Sequence, residues 1–448
     1  MKKIHLSTTQ IILLSFLGVI LLGSVLLAMP VSSAGAEPVP YLDALFTATT
    51  ATCVTGLVTV PTAGTWSLFG QIVILLLIQI GGLGVITVMS GIMLLLNRKM
   101  GIGDRLLIQD AFNLNSMAGL TKFVKKVLLG TLLVELAGAV LYMFVFVPEF
   151  GARGIWISLF NSVSAFCNAG IDIIGQNSLC DYATNPIVTV TTCALIILSG
   201  LGYIVWWDVL RVTGGGRKKR RFRLLTLHSK IAIVMTLGLV FGGTALILLF
   251  EYHNPDTMGG MPLGDKLQIA LFQSVTTRTA GFVSVPQENL TNASAAVSLM
   301  LMLVGGSPVG TAGGIKTVTV AVLFCSALAT IRNRDSATLF GRRISDSSMK
   351  KAVAVAVAFL SICGLSTLLL MATCEASALD IVYETVSATA TVGLSRNLTG
   401  RLNDFGKLVI IVTMYFGRVG PMSMAVALGS KKVKQNIISE PSEEIIVG

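Results

Sequence analysis

Charged residues are scarce in this sequence. They make up 12% of 448 residues, against about 25% in soluble globular domains. That scarcity excludes a chain whose surface is mostly wetted by water. Long hydrophilic stretches are missing too. No independent soluble domain fits between the apolar runs, so a cytosolic regulatory module must be another polypeptide. Histidine is rare: His5, His228 and His253 lie far apart, which argues against a His-rich metal site. Seven cysteines are present, at Cys53, Cys167, Cys180, Cys193, Cys325, Cys363 and Cys374. No two have metal-ligand spacing, and most sit in apolar context, as small buried side chains do. Within the apolar runs the obvious charges are Glu135, Lys316 and Arg418. No acid, base, nucleophile and metal set converges there, so an enzyme is not expected.

What is abundant is apolar and basic. Hydrophobic residues make up 53% of the chain, and the formal net charge is +11. In a soluble protein such a charge would suggest nucleic acid. Here the basic residues sit in short loops between apolar spans, so membrane topology accounts for them and no nucleic-acid partner is expected. The first apolar run, about Gln10–Met29 behind Lys2 and Lys3, is longer than a signal-peptide core and reads as a retained helix.

Four segments share an aromatic residue, a run of hydroxyls and a glycine. They are Phe46 to Gly56, Phe160 to Gly170, Phe272 to Gly281 and Tyr383 to Gly393, each followed by Leu57, Ile171, Phe282 or Leu394. The glycines are 114, 111 and 112 residues apart. A near-constant period over a whole chain marks internal duplication. The third copy is one residue shorter, which leaves its alignment before Gly281 open. Each unit opens with a long apolar span, at about Gln10–Met29, Val124–Val147, Ile231–Phe250 and Val353–Met371. Each closes with another, at about Phe69–Leu96, Ile187–Leu210, Ala295–Leu328 and Leu408–Leu428. The expected fold is an all-α polytopic membrane protein of eight transmembrane helices, four repeats of helix, re-entrant pore loop and helix in a pseudo-fourfold arrangement. The repeats are placed at 1–97, 98–211, 212–329 and 330–429, with a cytosolic tail at 430–448. The hydroxyl-rich segments are too short and polar to span. Such backbone survives at membrane depth only when buried in protein or lining a wet cavity.

Loop charges set the orientation. The N-terminus and segments 97–126, 211–230, 330–351 and 430–448 hold 25 of the 33 Lys and Arg residues. By the positive-inside rule these segments and both termini are cytosolic, and the re-entrant segments enter from outside.

A monovalent cation in a bilayer must exchange its water shell for other oxygens, which carbonyl rings supply without net charge. Glycine lets the backbone approach an axis, including at positive φ. Neighbouring hydroxyls can hold such a strand, and each short helix points its carbonyl-rich C-terminus at the centre. The expected ion-binding positions are Val54, Thr55 and Gly56; Asn168, Ala169 and Gly170; Thr279, Ala280 and Gly281; and Thr391, Val392 and Gly393.

These segments resemble the Trk/Ktr/HKT superfamily of potassium transporters, most closely its Ktr membrane subunits, over essentially the whole chain. The most specific matches are Thr52 to Leu57, Cys167 to Ile171, Thr279 to Phe282 and Thr391 to Leu394. The resemblance implies a pseudo-fourfold pore, a homodimer and selection of potassium by backbone oxygens. In plant relatives a serine at the first filter glycine accompanies sodium transport, so Gly56 implies potassium preference. It also implies a cytosolic ring of RCK-type nucleotide-binding subunits under ATP or ADP control. No organic cofactor is expected in this chain, and sodium is carried as a candidate activator. The expected function is potassium uptake across the cell membrane through a channel-like pore gated by that ring. A sodium- or proton-coupled symporter is the alternative; four parallel repeats with one broken helix favour the pore.

That broken helix is expected in the third unit. Five glycines and a proline fall between Leu303 and Lys316; proline costs about 3 kcal/mol inside a helix and glycine about 1. Gly305, Gly306, Ser307, Pro308, Gly310, Thr311, Gly313, Gly314 and Lys316 read as a gate, as the family's intramembrane loop implies; a packing kink is the other reading. The run is not a nucleotide P-loop, because Ile315 stands where that motif needs glycine. Arg418 replaces a small residue, Gly82 or Gly200 in the aligned units. It reads as an electrostatic barrier joined to the gate, or as the partner of Glu135 in a buried ion pair. Lys316 snorkels to the interface or joins the gate. Asp43, Asp265 and Asp380 sit near the starts of three short helices, as caps or as cation attractors at the outer mouth. The basic run Arg217 to Arg223 is topogenic, touches anionic lipid, or docks a partner.

Overall fold

A computed structural model describes residues 7–35, 37–96, 101–111, 119–214, 221–334 and 336–420. The first unit comprises α1 (Thr8–Ala28), α2 (Tyr41–Cys53), a short turn α3 (Thr62–Thr65), α4 (Leu68–Leu83) and α5 (Val85–Leu95). After α6 (Ile102–Ala111), the second comprises α7 (Leu120–Phe150), α8 (Ala152–Cys167), α9 (Pro186–Leu201) and α10 (Tyr203–Gly214). A turn, α11 (Arg221–Leu224), leads to the third: α12 (Leu227–Glu251), α13 (Leu263–Thr276), α14 (Asn292–Leu303) and α15 (Thr317–Ile331). A small antiparallel hairpin, β1 (Thr338–Leu339) and β2 (Arg342–Arg343), precedes the fourth: α16 (Asp346–Thr373), α17 (Ala378–Ala390) and α18 (Asp404–Val419).

Each unit's first helix is apolar on all sides, and α1, α7, α12 and α16 are each long enough to cross a membrane. No more than a third of each apolar window is buried in the protein. Leu14, Leu21 and Leu22 on α1 and Leu132, Leu133 and Phe144 on α7 face outward. Apolar helices with apolar exposed faces fit a lipid solvent. The protein is therefore a multi-pass, all-α membrane protein. The short helices α2, α8, α13 and α17 are the opposite: their hydroxyls are buried, and several bond back one turn, as Thr49 does to Leu45 and Thr389 to Thr385. That local pairing lets polar helices lie inside.

The units close into a ring. Each short helix packs on its own unit's first helix: α2 on α1, α8 on α7, α13 on α12 and α17 on α16. The second helix of each unit then packs on the short helix of the next. These contacts are α4 with α8, α9 with α13, α14 with α17, and α18 back with α2. Close approach relies on small residues: Gly23, Gly138 and Gly243 press on Leu77, Leu195 and Leu301 of their own units.

Two expected straight spans are bent. The span expected over Phe69–Leu96 divides at Gly84 with a bend of 96°, and that over Ile187–Leu210 divides at Gly202 with a bend of 93°. Both glycines have φ near +85° with ψ of 135° and 145°, a backbone region essentially reserved for glycine. Among the described residues three second spans are therefore broken, not one, and the contrast with carriers loses that support. The third span breaks between Leu303 and Thr317, where its glycines and proline lie. Residues 421–428 of the fourth span, most of the basic run and the tail at 430–448 lie outside the described residues.

Candidate functional site

Each short helix ends one residue before a left-handed residue or a turn leading to one. Val54, Asn168, Thr279 and Thr391 have φ of 54°, 59°, 67° and 52°. Two residues on, Gly56, Gly170, Gly281 and Gly393 have φ of 102°, 63°, 81° and 94°. The same alternation in all four strands fixes the register of the third copy up to Thr279. Its missing residue lies between Thr276 and Thr279. A serine or threonine in each short helix holds the strand that follows. Gly56 N–H donates to Thr50 Oγ1 at 3.0 Å, and Gly393 N–H to Ser387 Oγ at 3.0 Å. Ser164 accepts from Ile171 N–H at 3.2 Å, and Thr276 donates to the Phe282 carbonyl at 2.6 Å.

The four strands meet at one place. A methyl group on Gly56 would lie 2.7 Å from the Ala169 carbonyl oxygen; on Gly170, 2.5 Å from that of Ala280; on Gly281, 2.6 Å from that of Val392. On Gly393 it would collide with the Thr55 carbonyl. The contacts run in chain order around a closed ring. Only glycine leaves room for each neighbour's carbonyl. Oxygens so arranged are hard donors suited to a desolvated monovalent cation. Among the described residues no His, Cys, Asp or Glu cluster could hold a metal instead. Above the ring is a cavity of about 570 Å³, open outward and touched by all four glycines. Asp172, two residues past Gly170, lines it. Burial pushes its carboxyl above the ordinary carboxylate range, against hydrogen bonds from Ser178 and two backbone N–H groups.

Below the ring lies the segment 304–316. Several of its backbone groups find partners elsewhere in the fold, the condition for irregular backbone at membrane depth. Gly305 N–H donates to Ile315 O and Thr317 N–H to Gly306 O, both at 3.0 Å. Ser307 N–H donates to Gly200 O at 2.8 Å, and Tyr203 N–H to Val309 O at 3.0 Å. The bend at Gly202 thus receives the loop. Ser307 and Thr317 hydroxyls pair at 2.8 Å. Pro308 and Gly310 crowd Gly202 and Ser199, and Gly314 turns the chain at φ +66°. Thr311 donates to Phe166 O and accepts from Asn168 Nδ2, both at 3.1 Å. Gly313 N–H reaches Thr279 Oγ1 at 3.2 Å and its Cα abuts Thr391.

Arg418 does not pair with Glu135. Its guanidinium donates to the carbonyls of Thr311, Gly81 and Gly82. The bends and the broken segment leave carbonyls free there, and a guanidinium carries enough donors to take several. Glu135 instead accepts from Gln79 Nε2 at 3.2 Å and from the Cys167 thiol. Lys316 does not snorkel; its ammonium bonds Ala312 O inside the loop. Asp43, Asp265 and Asp380 do lie in the first turns of α2, α13 and α17, but they cap none of them. Pro40 and Pro262 precede two of these helices, and Ser377 caps the third. Asp43 pairs with Lys407 at 2.6 Å and Asp380 with Arg396 at 2.8 Å. The sequence reading also missed several buried charges, among them Arg278 and Glu384. Both sit inside the hydroxyl-rich segments, where context reads as polar and hides them.

The chain matches the family described as TrkH, cation transport protein, over residues 7–439. It is 37% identical over 448 residues to the Ktr system potassium uptake protein B of Bacillus subtilis, covering 100% of this chain and 98% of that one. It is 38% identical over 450 residues to the potassium/sodium uptake protein NtpJ of Enterococcus hirae, covering 99% and 98%. Its fold is similar to the crystal structure of the potassium transporter TrkH from Vibrio parahaemolyticus. That match has a TM-score of 0.75 over 95% of this chain and 86% of that one, at 17% identity. The ring of strands, the full-length relatives and the fold agree: the chain belongs to the TrkH family of cation transport proteins.

Proposed function

We propose that this protein takes up potassium across the cell membrane through a channel-like pore. The observation that carries the reading is the closed ring in which each glycine faces its neighbour's carbonyl oxygen. The twelve positions Val54 to Gly56, Asn168 to Gly170, Thr279 to Gly281 and Thr391 to Gly393 form its selectivity filter. The loop 304–316 and Arg418 form the gate beneath it. Each of the four units, at 1–97, 98–211, 212–329 and 330–429, supplies one quarter. Relatives named for potassium uptake support the ion. Both termini face the cytosol, where a ring of RCK-type subunits binding ATP or ADP controls the gate of a homodimer, as the resemblance to Ktr subunits supplies. Sodium enters as competitor or activator, consistent with a relative named for both ions.

The test is rubidium uptake into liposomes, competed with sodium, for wild type and Gly56→Ser. Potassium-preferring uptake that loses discrimination in the variant supports the filter. Absence of uptake down a potassium gradient, with the cytosolic partner supplied, overturns the pore. The three broken spans keep one alternative open, a sodium- or proton-coupled symporter. Potassium accumulation against its own gradient, driven by an imposed sodium or proton gradient, would establish that reading instead.

A further inference from the structure

The third strand departs from its three counterparts at one position. Three residues before the glycine stand Cys53, Cys167 and Ala390 in the first, second and fourth strands, and Arg278 in the third. This is also where the third segment is one residue shorter. Arg278 is buried, with 4% of its surface exposed. Its guanidinium donates to the carbonyl of Gly305, the first glycine of the broken segment, at 3.3 Å. Its Nε–H has no partner, and no carboxylate among the described residues pairs with it. The next residue, Thr279, accepts from Gly313 N–H at the far end of the same loop. One strand of the ring therefore grips both ends of the loop, through two consecutive side chains.

A charge-assisted bond to a carbonyl is about twice as strong as a neutral one, and in a water-poor interior its loss leaves both groups short of partners. Helix packing alone would be served by the Cys or Ala found at the other three positions. A guanidinium there is costly unless it holds something that must be released. We propose that Arg278 is a positioning residue that latches the intramembrane loop to the third filter strand, so that the loop leaves its place only when this bond is broken. The proposal rests on reading the loop as the gate.

The full-length protein in liposomes, without its cytosolic partner, provides the test. Resting rubidium flux and potassium-over-sodium preference are measured for wild type, Arg278→Met, Arg278→Lys and a variant with Ser307–Thr311 removed. The latch predicts that Arg278→Met raises resting flux about tenfold, the loss of one charge-assisted bond, and keeps ion preference. Arg278→Lys, which retains a donor, stays within about threefold of wild type. Hydrogen exchange in nanodiscs adds a second readout: Arg278→Met speeds exchange over 304–316 while the strand Thr279 to Phe282 keeps its protection. Unchanged flux and unchanged loop exchange in Arg278→Met overturn the latch. Lost ion preference in both substitutions also overturns it, since Arg278 would then merely shape the filter. If the shortened loop itself leaves flux unaltered, the gate reading fails, and the latch with it. If only the shortened loop raises flux, the gate stands and the latch falls.

Discussion

The ring of strands and the segment beneath it follow opposite rules. Above, four chain segments repeat one conformation: a left-handed residue, then a glycine two positions later, tied by a hydroxyl from the helix behind. Below, the glycine bend recurs at Gly84 and Gly202, but the broken segment 304–316 occurs, among the described residues, in the third unit alone. A loop from the third unit crosses under the ring and takes hydrogen bonds from Arg278 of the third strand, from Arg418 of the fourth unit and, within itself, from Lys316. A central ion bound by backbone oxygens is indifferent to which unit supplies them, so symmetry suits the ring. The proposed gate needs one element that moves against a fixed frame, and a single asymmetric segment suits that role.

The largest expected effect breaks the ring. Gly393→Ala puts a methyl group against the Thr55 carbonyl at φ 94°, and the backbone strain alone is about 1–3 kcal/mol. Potassium uptake in liposomes should fall about a hundredfold. An equal fall is expected for Gly281→Ala, since the ring treats its members alike; wild-type uptake by either variant would show that the glycines do not converge on the ion.

A change beneath the ring should act in the other direction. Arg418→Gln removes the charge that links the loop to the first unit. A unit charge about 5 Å from a permeant cation opposes it by roughly 3 kcal/mol at an effective dielectric of 20. Resting flux should rise between tenfold and a hundredfold with ion preference retained. A drop in flux would make Arg418 a brace of the pore rather than a barrier.

The hydroxyl ties sharpen the comparison at smaller scale. Ser387→Ala deletes the partner of Gly393 N–H, a neutral bond worth about 1 kcal/mol. Preference for potassium over sodium should weaken roughly fivefold, while resting leak stays unchanged. Competition of rubidium uptake by sodium reads both.

The smallest effect belongs to the outer cavity. Asp172→Asn should lower uptake about twofold at low ionic strength and not at high, since screening removes attraction over a Debye length. The sign with pH follows from the raised carboxyl. Its charge is present above its pKa and lost as pH falls through it, and burial moves that point upward. Wild-type uptake should therefore decline on acidification before ordinary carboxylates titrate, and Asp172→Asn should lack that step. A step that persists in the variant assigns it to another group.

Much of this was legible from spacing. The four glycines and their hydroxyls could be found because duplication repeats them at a near-constant period. The break in the third unit announced itself through five glycines and a proline. The bends at Gly84 and Gly202 carried weaker signals. Glycines in a glycine-tolerant membrane helix do not distinguish a packing contact from a 96° turn. Arg278 and Glu384 escaped because hydrophilic neighbours masked their burial. The Arg418–Glu135 pair was a reasonable guess that failed: two lone buried charges invite pairing, but freed backbone carbonyls lay nearer the guanidinium.

The sequence by itself determined that the chain lives in a membrane, that it is fourfold, and which residues repeat. Those properties are local and additive, set by apolar length, loop charge and period. Tertiary structure alone decided that the four glycines face one another in chain order, that two spans bend and that the loop docks at one of the bends, and which carbonyl each buried cation holds. The ring contacts and those of Arg418 join residues more than a hundred positions apart. They depend on how the helices close the ring, which no local window of the sequence contains.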